Sequence, residues 1–328
     1  MGKRRKQGLF LAVAVLLLLA AGVMAGCGKE KNSAQIRVGA LKGPTTIGLL
    51  HLMEEADQGK TANAYTFTMA TAADELTTLI VKGDLDIALI PANVAAILYQ
   101  KTDGGITVLN INTLGVLYLV SGRDDIGSVT DLKGKTLYLT GKGTTPDFVL
   151  QYLLQQNGLS MDDVTLEYRS EATEVAALLA ENPEAVGLLP QPFVTAACAQ
   201  NEALKVCASL TEEWDSVSGE GSLVTGVTIV RNAFLEENKE AVELFIKEHK
   251  ESTDFATGNV EETAVLCVEQ GIIAKEPVAK KAIPQCNVTC MTGKDMKEAL
   301  SGYLKVLYDC NPASVGGVLP AEGFYYEE

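Results

Sequence analysis

Short apolar runs alternate with amphipathic stretches along most of the chain, and this alternation predicts strands and helices in turn. Residues 35–111 follow the order strand, helix, strand, helix, strand. A second series of the same kind begins at the apolar run Leu137–Leu139 and includes the short run Val186–Leu189. Beyond Asn232 the apolar positions recur at helical spacing, with Asn232 as a candidate N-cap. The pattern therefore predicts an α/β protein with a C-terminal helical segment.

Four helices are predicted in that last segment, and the first of them is long. They span Ala233–Phe255, Val260–Gln270, Glu276–Ala282 and Gly293–Asp309. Three aromatic residues at positions 324–326 follow and are expected to pack on the folded body.

The two α/β series resemble each other in detail. Lys42-Gly43-Pro44-Thr45-Thr46 follows an apolar run and opens an amphipathic stretch, and Lys142-Gly143-Thr144-Thr145-Pro146 does the same 100 residues later. Asp74–Pro91 and Thr173–Pro190 match without a gap at an offset of 99 residues. Any two βαβα segments share some likeness, but two separate matches at nearly one offset favour two lobes of one design.

The chain is predicted to pass between the lobes twice, near Thr113 and near Gly226. The first lobe then comprises residues 35–114 and 226–328, and the second comprises residues 115–225. The repeated turns lie at the carboxyl ends of strands, where open α/β sheets bind ligands. Backbone N–H groups are free at the helix N-termini that follow, so they can hold a polar or negative ligand atom. We expect one ligand site in the cleft between the lobes.

The overall charge narrows the range of partners. The formal net charge is −15, and it is −19 once the four basic residues of the N-terminal segment are left out. Nucleic acid is therefore not an expected partner, because binding its phosphates requires clustered lysine and arginine. A small anion is still compatible, since local N–H groups matter more than net charge at such a site.

Residues 1–26 have the features of a secretory signal, namely a basic start, an apolar stretch and small residues before Cys27. The position of Cys27 after Ala25-Gly26 resembles a bacterial lipobox, which implies cleavage before Cys27, acylation of its sulfur and palmitate at the new N-terminus. Residues 27–34 would form a tether. The alternative is a single transmembrane anchor, because the apolar stretch approaches the span of a bilayer. Both interpretations place the folded part outside the cytoplasm, beside a membrane.

The six other cysteines leave disulfide formation open. Cys198 with Cys207 and Cys286 with Cys290 are the nearest candidate pairs outside the cytoplasm, but cysteine is also a common small core residue. A zinc site is not expected, because only two histidines are present and both lie in helical patterns distant from the cysteines.

Together with the lipobox and the paired turns, several short sequence segments resemble those of the extracytoplasmic solute-binding lipoproteins of ABC importers. The resemblance spans residues 35–326 and is to the branch that handles nitrate, sulfonates, taurine and thiamine-pyrimidine precursors. The segments are Lys42-Gly43-Pro44-Thr45, Ile90-Pro91-Ala92-Asn93-Val94-Ala95, Leu189-Pro190-Gln191-Pro192-Phe193-Val194 and Ser314-Val315-Gly316-Gly317.

This resemblance implies a two-lobed type II periplasmic-binding-protein fold with two hinge crossings and a C-terminal helical segment. It also implies a monomer that captures a small polar solute and delivers it to an ABC permease with its ATPase subunits. Neither a cofactor nor a metal is implied. The resemblance specifies the fold and the transport role but not the solute.

The candidate ligand-binding residues share positions at the ends of strands or at the crossings. They are Lys42, Gly43, Pro44, Thr45, Thr46, Thr71, Asn93, Thr113, Gly143, Thr144, Thr145, Gln191 and Trp214. Simple helix capping would equally explain the threonines, and core packing would explain the single tryptophan. Asp147, in the first turn of its helix, disfavours a plain anion and leaves room for a zwitterion, an amine or a neutral heterocycle.

Two other classes of function stay open from the residues alone. An enzyme of the same fold, similar to the yeast pyrimidine synthase, would need a cysteine-rich stretch with a histidine, and nothing here matches that stretch. No convincing Ser-His-Asp or Cys-His set is present either. A membrane-tethered sensor without a transporter is the third class, and neighbouring permease and ATPase genes would separate it from an importer component.

Overall fold

The computed structural model describes residues 34–218 and 221–327, which form two α/β lobes. The sheet of the first lobe has six strands in the order β11-β4-β10-β3-β1-β2. Its strands are β1 (Gln35–Leu41), β2 (Ala64–Ala70), β3 (Ile87–Pro91), β4 (Ile106–Leu114), β10 (Val224–Arg231) and β11 (Val288–Met291). All residues of β3 except the last are buried, as expected for a central strand covered on both faces.

The helices of the first lobe come from both ends of the chain. The N-terminal set is α1 (Pro44–Ile47), α2 (Leu50–Asp57), α3 (Ala73–Lys82) and α4 (Ala92–Lys101). The C-terminal set is α9 (Asn232–Glu237), α10 (Lys239–Gly258), α11 (Val260–Glu269), α12 (Glu276–Ala282) and α13 (Gly293–Cys310).

The second lobe has a five-stranded sheet in the order β7-β6-β8-β5-β9. Its strands are β5 (Leu117–Ser121), β6 (Thr136–Leu139), β7 (Thr165–Tyr168), β8 (Val186–Pro190) and β9 (Lys205–Ser209). Its helices are α5 (Thr145–Gln156), α6 (Ala172–Glu181), α7 (Phe193–Gln200) and α8 (Leu210–Val217).

The two sheets share one plan, as the sequence repeat predicts. β1 lies parallel between β2 and β3, and β6 lies parallel between β7 and β8. In each lobe an antiparallel strand then joins the third parallel strand. β10 pairs with β3 in the first lobe, and β5 pairs with β8 in the second. Each of these antiparallel strands enters its sheet directly after a passage from the other lobe.

The two passages between the lobes lie next to each other. The first lobe's sheet contains β4, which leads to β5 of the second lobe, and β10, which returns from it. These two strands are antiparallel neighbours, and Thr113 of β4 is the partner of Gly226 of β10. The polypeptide therefore connects the lobes through one adjacent pair of strands.

Apolar packing is continuous across the two lobes. One buried cluster includes Ile90 and Val108 of the first sheet together with Leu119 and Leu137 of the second. The C-terminal helix α13 contributes Tyr303 to the same cluster. The aromatic tail packs on the folded body as predicted, and it does so on the first lobe, since Phe324 is fully buried and the Tyr326 N–H donates to Val108 O of β4.

Four details differ from the sequence-based expectations. The long helix predicted over residues 233–255 is two helices, α9 and α10, separated at Asn238. Asn232 is not an N-cap but the first residue of α9, and its side chain bonds Gly104 O and Thr107 Oγ1 instead. The short strand β11 and the helix α8 were not predicted.

The two local disulfides considered from the sequence are not formed. Cys198 and Cys207 are separate thiols, and Cys286 is a buried thiol that is not bonded to Cys290. Burial raises the pKa of the Cys198 and Cys207 thiols, so both are held in the neutral, less reactive form.

Candidate functional site

A cavity of about 310 Å³ lies between the lobes, at the carboxyl ends of the parallel strands. Its size is in the range of small-molecule sites. Both lobes line it with turns, prolines and hydroxyl side chains. The lining includes Leu41, Lys42, Pro44, Thr45, Thr71, Asp74, Pro91, Leu117, Thr140, Lys142, Thr144, Thr145, Pro146, Ser170, Pro190, Phe193 and Thr225.

In the first lobe, the repeated turn is fixed by its own backbone. Thr45 and Thr46 both donate their hydroxyls to Leu41 O, at 2.8 and 2.6 Å, which ties the start of α1 to the end of β1. Thr45 lines the cavity, whereas Thr46 is fully buried behind it. Gly43 has φ +146°, a conformation that side chains disfavour, and it lies against Phe193 of the second lobe.

In the second lobe, the matching turn is held by a carboxylate. Asp147 accepts hydrogen bonds from the Gly143 N–H at 2.7 Å and from the Tyr168 hydroxyl at 2.6 Å. Burial and this bond raise the pKa of Tyr168. The Gly143 N–H is therefore engaged inside the protein, while Thr144 and Thr145 line the cavity.

Lys42, a candidate ligand residue, and Lys142, its counterpart in the repeat, both line the cavity. The Lys142 ammonium lies 5.4 Å from the centre of the Tyr168 ring, within the distance for a cation–π contact. The Lys42 ammonium lies 4.0 Å from the place that a Cβ on Gly271 would take, just beyond the C-terminal end of α11. Cations are favoured at such a helix end. Lys142 thus has an aromatic partner, whereas Lys42 lies near the end of α11.

The two candidate amides connect the lobes. Asn93 is fully buried and donates to Gly143 O of the second lobe and to Ser314 O, both at 3.3 Å. Gln191 donates to Gln285 Oε1 at 3.0 Å, from the second lobe to the first. Neither residue lines the cavity itself, and Gln191 borders a separate groove instead.

Two further candidates lie outside the cavity. Thr113 is buried in β4, where its hydroxyl donates to Asn112 Oδ1 at 2.9 Å. Trp214 is fully buried, packs between Tyr152 and Tyr303, and donates its indole N–H to Gly221 O at 2.9 Å. The structure therefore brings Lys42, Pro44, Thr45, Thr71, Thr144 and Thr145 together, and places Gly43, Thr46 and Gly143 directly behind them.

Several lining residues were not among the predicted ligand residues. Phe193 begins α7 and supplies an aromatic wall, and Thr225 reaches the cavity from the start of β10. Thr140 follows β6 in the same way that Lys42 follows β1, so the strand-end rule could have found it. Phe193 and Thr225 carried no such signal, because their positions depend on how the lobes meet.

Within residues 34–218 and 221–327, no three His, Cys, Asp or Glu side chains are grouped so that they could hold a metal ion. In that same part of the chain, no helix has the length and hydropathy needed to cross a bilayer.

A family model described as NMT1/THI5 like matches residues 74–263. The chain belongs to the NMT1/THI5-like family. The match covers strands and helices of both lobes, and it includes the Asn93 and Gln191 positions. This NMT1/THI5-like chain is also 26% identical over 181 residues to a protein of Brucella abortus strain 2308 that is named a binding protein. That alignment covers 55% of this chain and 54% of the relative, so the chain spans about half the length of the curated relatives it matches.

Solved structures resemble the NMT1/THI5-like chain over most of its length. An ABC transporter protein from Parabacteroides distasonis is 26% identical with a TM-score of 0.74, covering 90% of this chain and 100% of that one. The periplasmic aliphatic sulphonate binding protein of Escherichia coli is 15% identical with a TM-score of 0.70, covering 90% and 93%. The likeness to the Escherichia coli protein shows the fold alone. The fold is the two-lobed one of periplasmic binding proteins, as the sequence predicts.

Proposed function

We propose that this protein is the solute-binding component of an ABC importer, which captures a small polar molecule between its lobes and delivers it to a membrane permease. One observation carries this proposal. The cavity of about 310 Å³ is lined by corresponding strand-to-helix turns from two lobes of the same plan. A ligand held by both lobes favours the arrangement in which they meet, so binding and closure are linked.

The printed descriptions of similar proteins support the transport role. The Parabacteroides distasonis structure is titled an ABC transporter, and a Staphylococcus aureus structure is titled the ligand-binding component of an ABC-type import system. Two similar structures are sulphonate-binding proteins, one of them bound to MOPS. Binding proteins of this kind are not enzymes, and we propose the same here.

The lining of the cavity guides the choice of solute. Hydroxyl groups and apolar walls dominate the lining, Asp74 adds a carboxylate to the two lysines, and Lys142 lies against the Tyr168 ring. The Asp147 carboxylate occupies the Gly143 N–H that an anion would otherwise use. Within the range of nitrate, sulfonate, taurine and thiamine-pyrimidine precursors, we therefore favour a zwitterion or a neutral heterocycle over a simple inorganic anion.

A thermal-shift screen tests the proposal directly. Nitrate, alkanesulfonates, taurine, pyrimidines, riboflavin and amino acids would be added to the purified protein, and the cognate class should raise Tm in a saturable way. Turnover of one of these compounds without any Tm shift would instead indicate an enzyme.

A matched pair of variants tests whether the cavity is the site. Thr71→Val removes an exposed hydroxyl from the lining, and Thr173→Val removes an exposed one from α6, outside it. If Thr71 bonds the solute, its loss should weaken binding by about tenfold, corresponding to roughly one hydrogen bond. If calorimetry gives equal solute affinities for the two variants, Thr71 does not bind the solute.

We also propose that the protein is extracytoplasmic and lipid-anchored through Cys27, a residue that lies outside the described part of the chain. Cys27→Ala should release the protein from membranes into the soluble fraction after cell lysis. Retention of this variant in the membrane pellet would favour a spanning anchor instead.

A further inference from the structure

Asn93 joins three separate parts of the molecule through one buried amide. It lies at the start of α4, immediately beyond the end of β3 in the first lobe. Its amide nitrogen donates to Gly143 O in the second lobe and to Ser314 O in the turn after α13, both at 3.3 Å. Its amide oxygen accepts from the Thr145 hydroxyl of the second lobe at 3.4 Å. We call these contacts the Asn93 bridge.

Thr145 connects this bridge to the cavity. It is the first residue of α5 and lines the cavity, yet it is almost fully buried, with 1% of its surface exposed. Its hydroxyl lies 3.4 Å from Asn93 Oδ1 and 3.3 Å from Thr225 O, so one proton is shared between two acceptors in the first lobe and the crossing strand. A solute group that hydrogen-bonds the Thr145 hydroxyl would change how this proton is shared. It would therefore change the strength of the Thr145 bond within the Asn93 bridge.

The bridge is suited to hold the lobes together only weakly. Its bonds are 3.3–3.4 Å long, at the far end of hydrogen-bond range, and opening would give each group water in exchange. A typical exchange of this kind is worth about 1 kcal/mol per bond. Such a value lets a bound solute decide between open and closed arrangements, whereas a much stronger bridge would keep the cleft shut.

Gln191, at the corresponding place in the second lobe, makes a different contact. Its own amide is buried, but its partner Gln285 is exposed to solvent. Water competes for an exposed bond, so this contact contributes less to closure. Asn93 also has an exposed partner in Gly143, but its second bond across the lobes, from the Thr145 hydroxyl, is buried. Of the two corresponding amides, Asn93 is therefore the one with a buried bond across the lobes beside the cavity.

We infer that Asn93 is a positioning residue that holds the lobes in their closed arrangement and transmits occupancy of the cavity to closure through the Thr145 hydroxyl. The second half of this inference rests on the proposed function, whereas the first half does not. The first half can therefore be tested without any solute.

Small-angle X-ray scattering of the full-length protein, without added solute, measures the separation of the lobes through the radius of gyration. Asn93→Ala removes the bridge, and Asn63→Ala is the matched control. Asn63 is also a buried amide, but it donates to Tyr65 and to Ala241 O within the first lobe alone. Both variants should lose some thermal stability, but only Asn93→Ala should increase the radius of gyration, because losing two bonds across the lobes at about 1 kcal/mol each raises the ratio of open to closed molecules roughly 30-fold.

A second pair keeps the test valid if Asn93→Ala does not fold. Thr145→Val removes the hydroxyl at nearly constant volume, and Thr145→Ser restores a hydroxyl at the same place. Thr145→Val should open the lobes, and Thr145→Ser should resemble the wild type. Trp214 packs against Tyr303 of α13 and is the single tryptophan, so its fluorescence gives a second readout for Asn93→Ala.

Equal radii of gyration for the wild type, Asn93→Ala and Thr145→Val would overturn the inference. An equal increase for Asn93→Ala and Asn63→Ala would overturn it too, since Asn93 would then act only on general stability. If the expected opening is seen but no solute class raises Tm, the proposed function fails while the role of Asn93 in closure stands. If a solute raises Tm of the wild type and the radii of gyration do not differ, the proposed function stands and the role of Asn93 in closure fails.

Discussion

At the scale of single residues, several side chains at the two cavity-lining turns are already hydrogen-bonded within the protein. Asp147 bonds the Gly143 N–H, and the threonines at the two turns donate to nearby carbonyl groups. The sequence located these turns because Lys-Gly and paired threonines recur at one offset. It also placed Asp147 in the first turn of α5, but it did not reveal the Tyr168 hydroxyl that holds this carboxylate, because Tyr168 lies at the end of β7 and meets Asp147 only in the fold.

His249 gives a prediction at this scale. It is fully buried in α10 near Asn110, with Nδ1 3.3 Å from the amide nitrogen, and burial lowers its pKa to about 4. The unfolded chain, with a histidine pKa of about 6.5, binds the proton more readily than the folded one between these two values. Stability should therefore fall as the pH is lowered from about 6.5 to about 4, by roughly 3 kcal/mol from this residue.

Urea unfolding at several pH values measures this dependence. His249→Gln should be less stable at neutral pH but should lose the part of the pH slope that histidine contributes. The carboxylates are common to both proteins, so the difference between the two curves isolates His249. If the unfolding free energies of the wild type and the variant change in parallel between about pH 6.5 and 4, His249 does not contribute to the pH dependence.

At the scale of elements, the sequence predicted most strands and helices, because their apolar spacing is regular. The exceptions are instructive. β11 is four residues long and only half-buried, so it has no clear alternation, and α8 is a short, acidic helix with two buried positions. The break between α9 and α10 lies at Asn238, a residue that ordinary helical spacing does not single out.

The contact between the returning crossing segment and α13 is a property of elements that no spacing predicts. Gly221 has φ +84°, and a Cβ there would lie 3.1 Å from Tyr303 N and 3.2 Å from Gly302 C. Gly221→Ala should therefore cost about 1–2 kcal/mol, through backbone strain and the close approach.

Thermal unfolding of a matched glycine variant provides the comparison. Gly258 ends α10, and a Cβ there would meet nothing within 4 Å. Gly258→Ala should leave stability unchanged or raise it by about 0.5 kcal/mol. Equal melting temperatures for Gly221→Ala and the wild type would mean that Gly221 does not pack closely against α13.

At the scale of the whole molecule, the continuous apolar cluster determines how the protein unfolds. Buried residues of both sheets and of α13 belong to it, and Trp214 contacts Tyr303 within it. Because unfolding of one lobe alone would expose the core residues that the other lobe packs against, we expect one cooperative unfolding transition rather than two.

Two probes that report on different regions check this expectation. Tryptophan fluorescence reports on the region around Trp214, and far-ultraviolet circular dichroism reports on all helices and strands. The two melting curves should coincide, with equal calorimetric and van't Hoff enthalpies. Two resolved transitions would show that the lobes unfold independently.

The plan of the two sheets also has a consequence for biosynthesis. Lobe two is continuous in sequence, and all its strands exist once residue 209 has been made. In the sheet of the first lobe, β10 lies between β3 and β4. The strand β4 therefore has no neighbouring strand until residue 231 has been added. The half of the protein that starts first is therefore completed last, and its unpaired strand edges stay available to chaperones, or to aggregation, while the rest of the chain emerges.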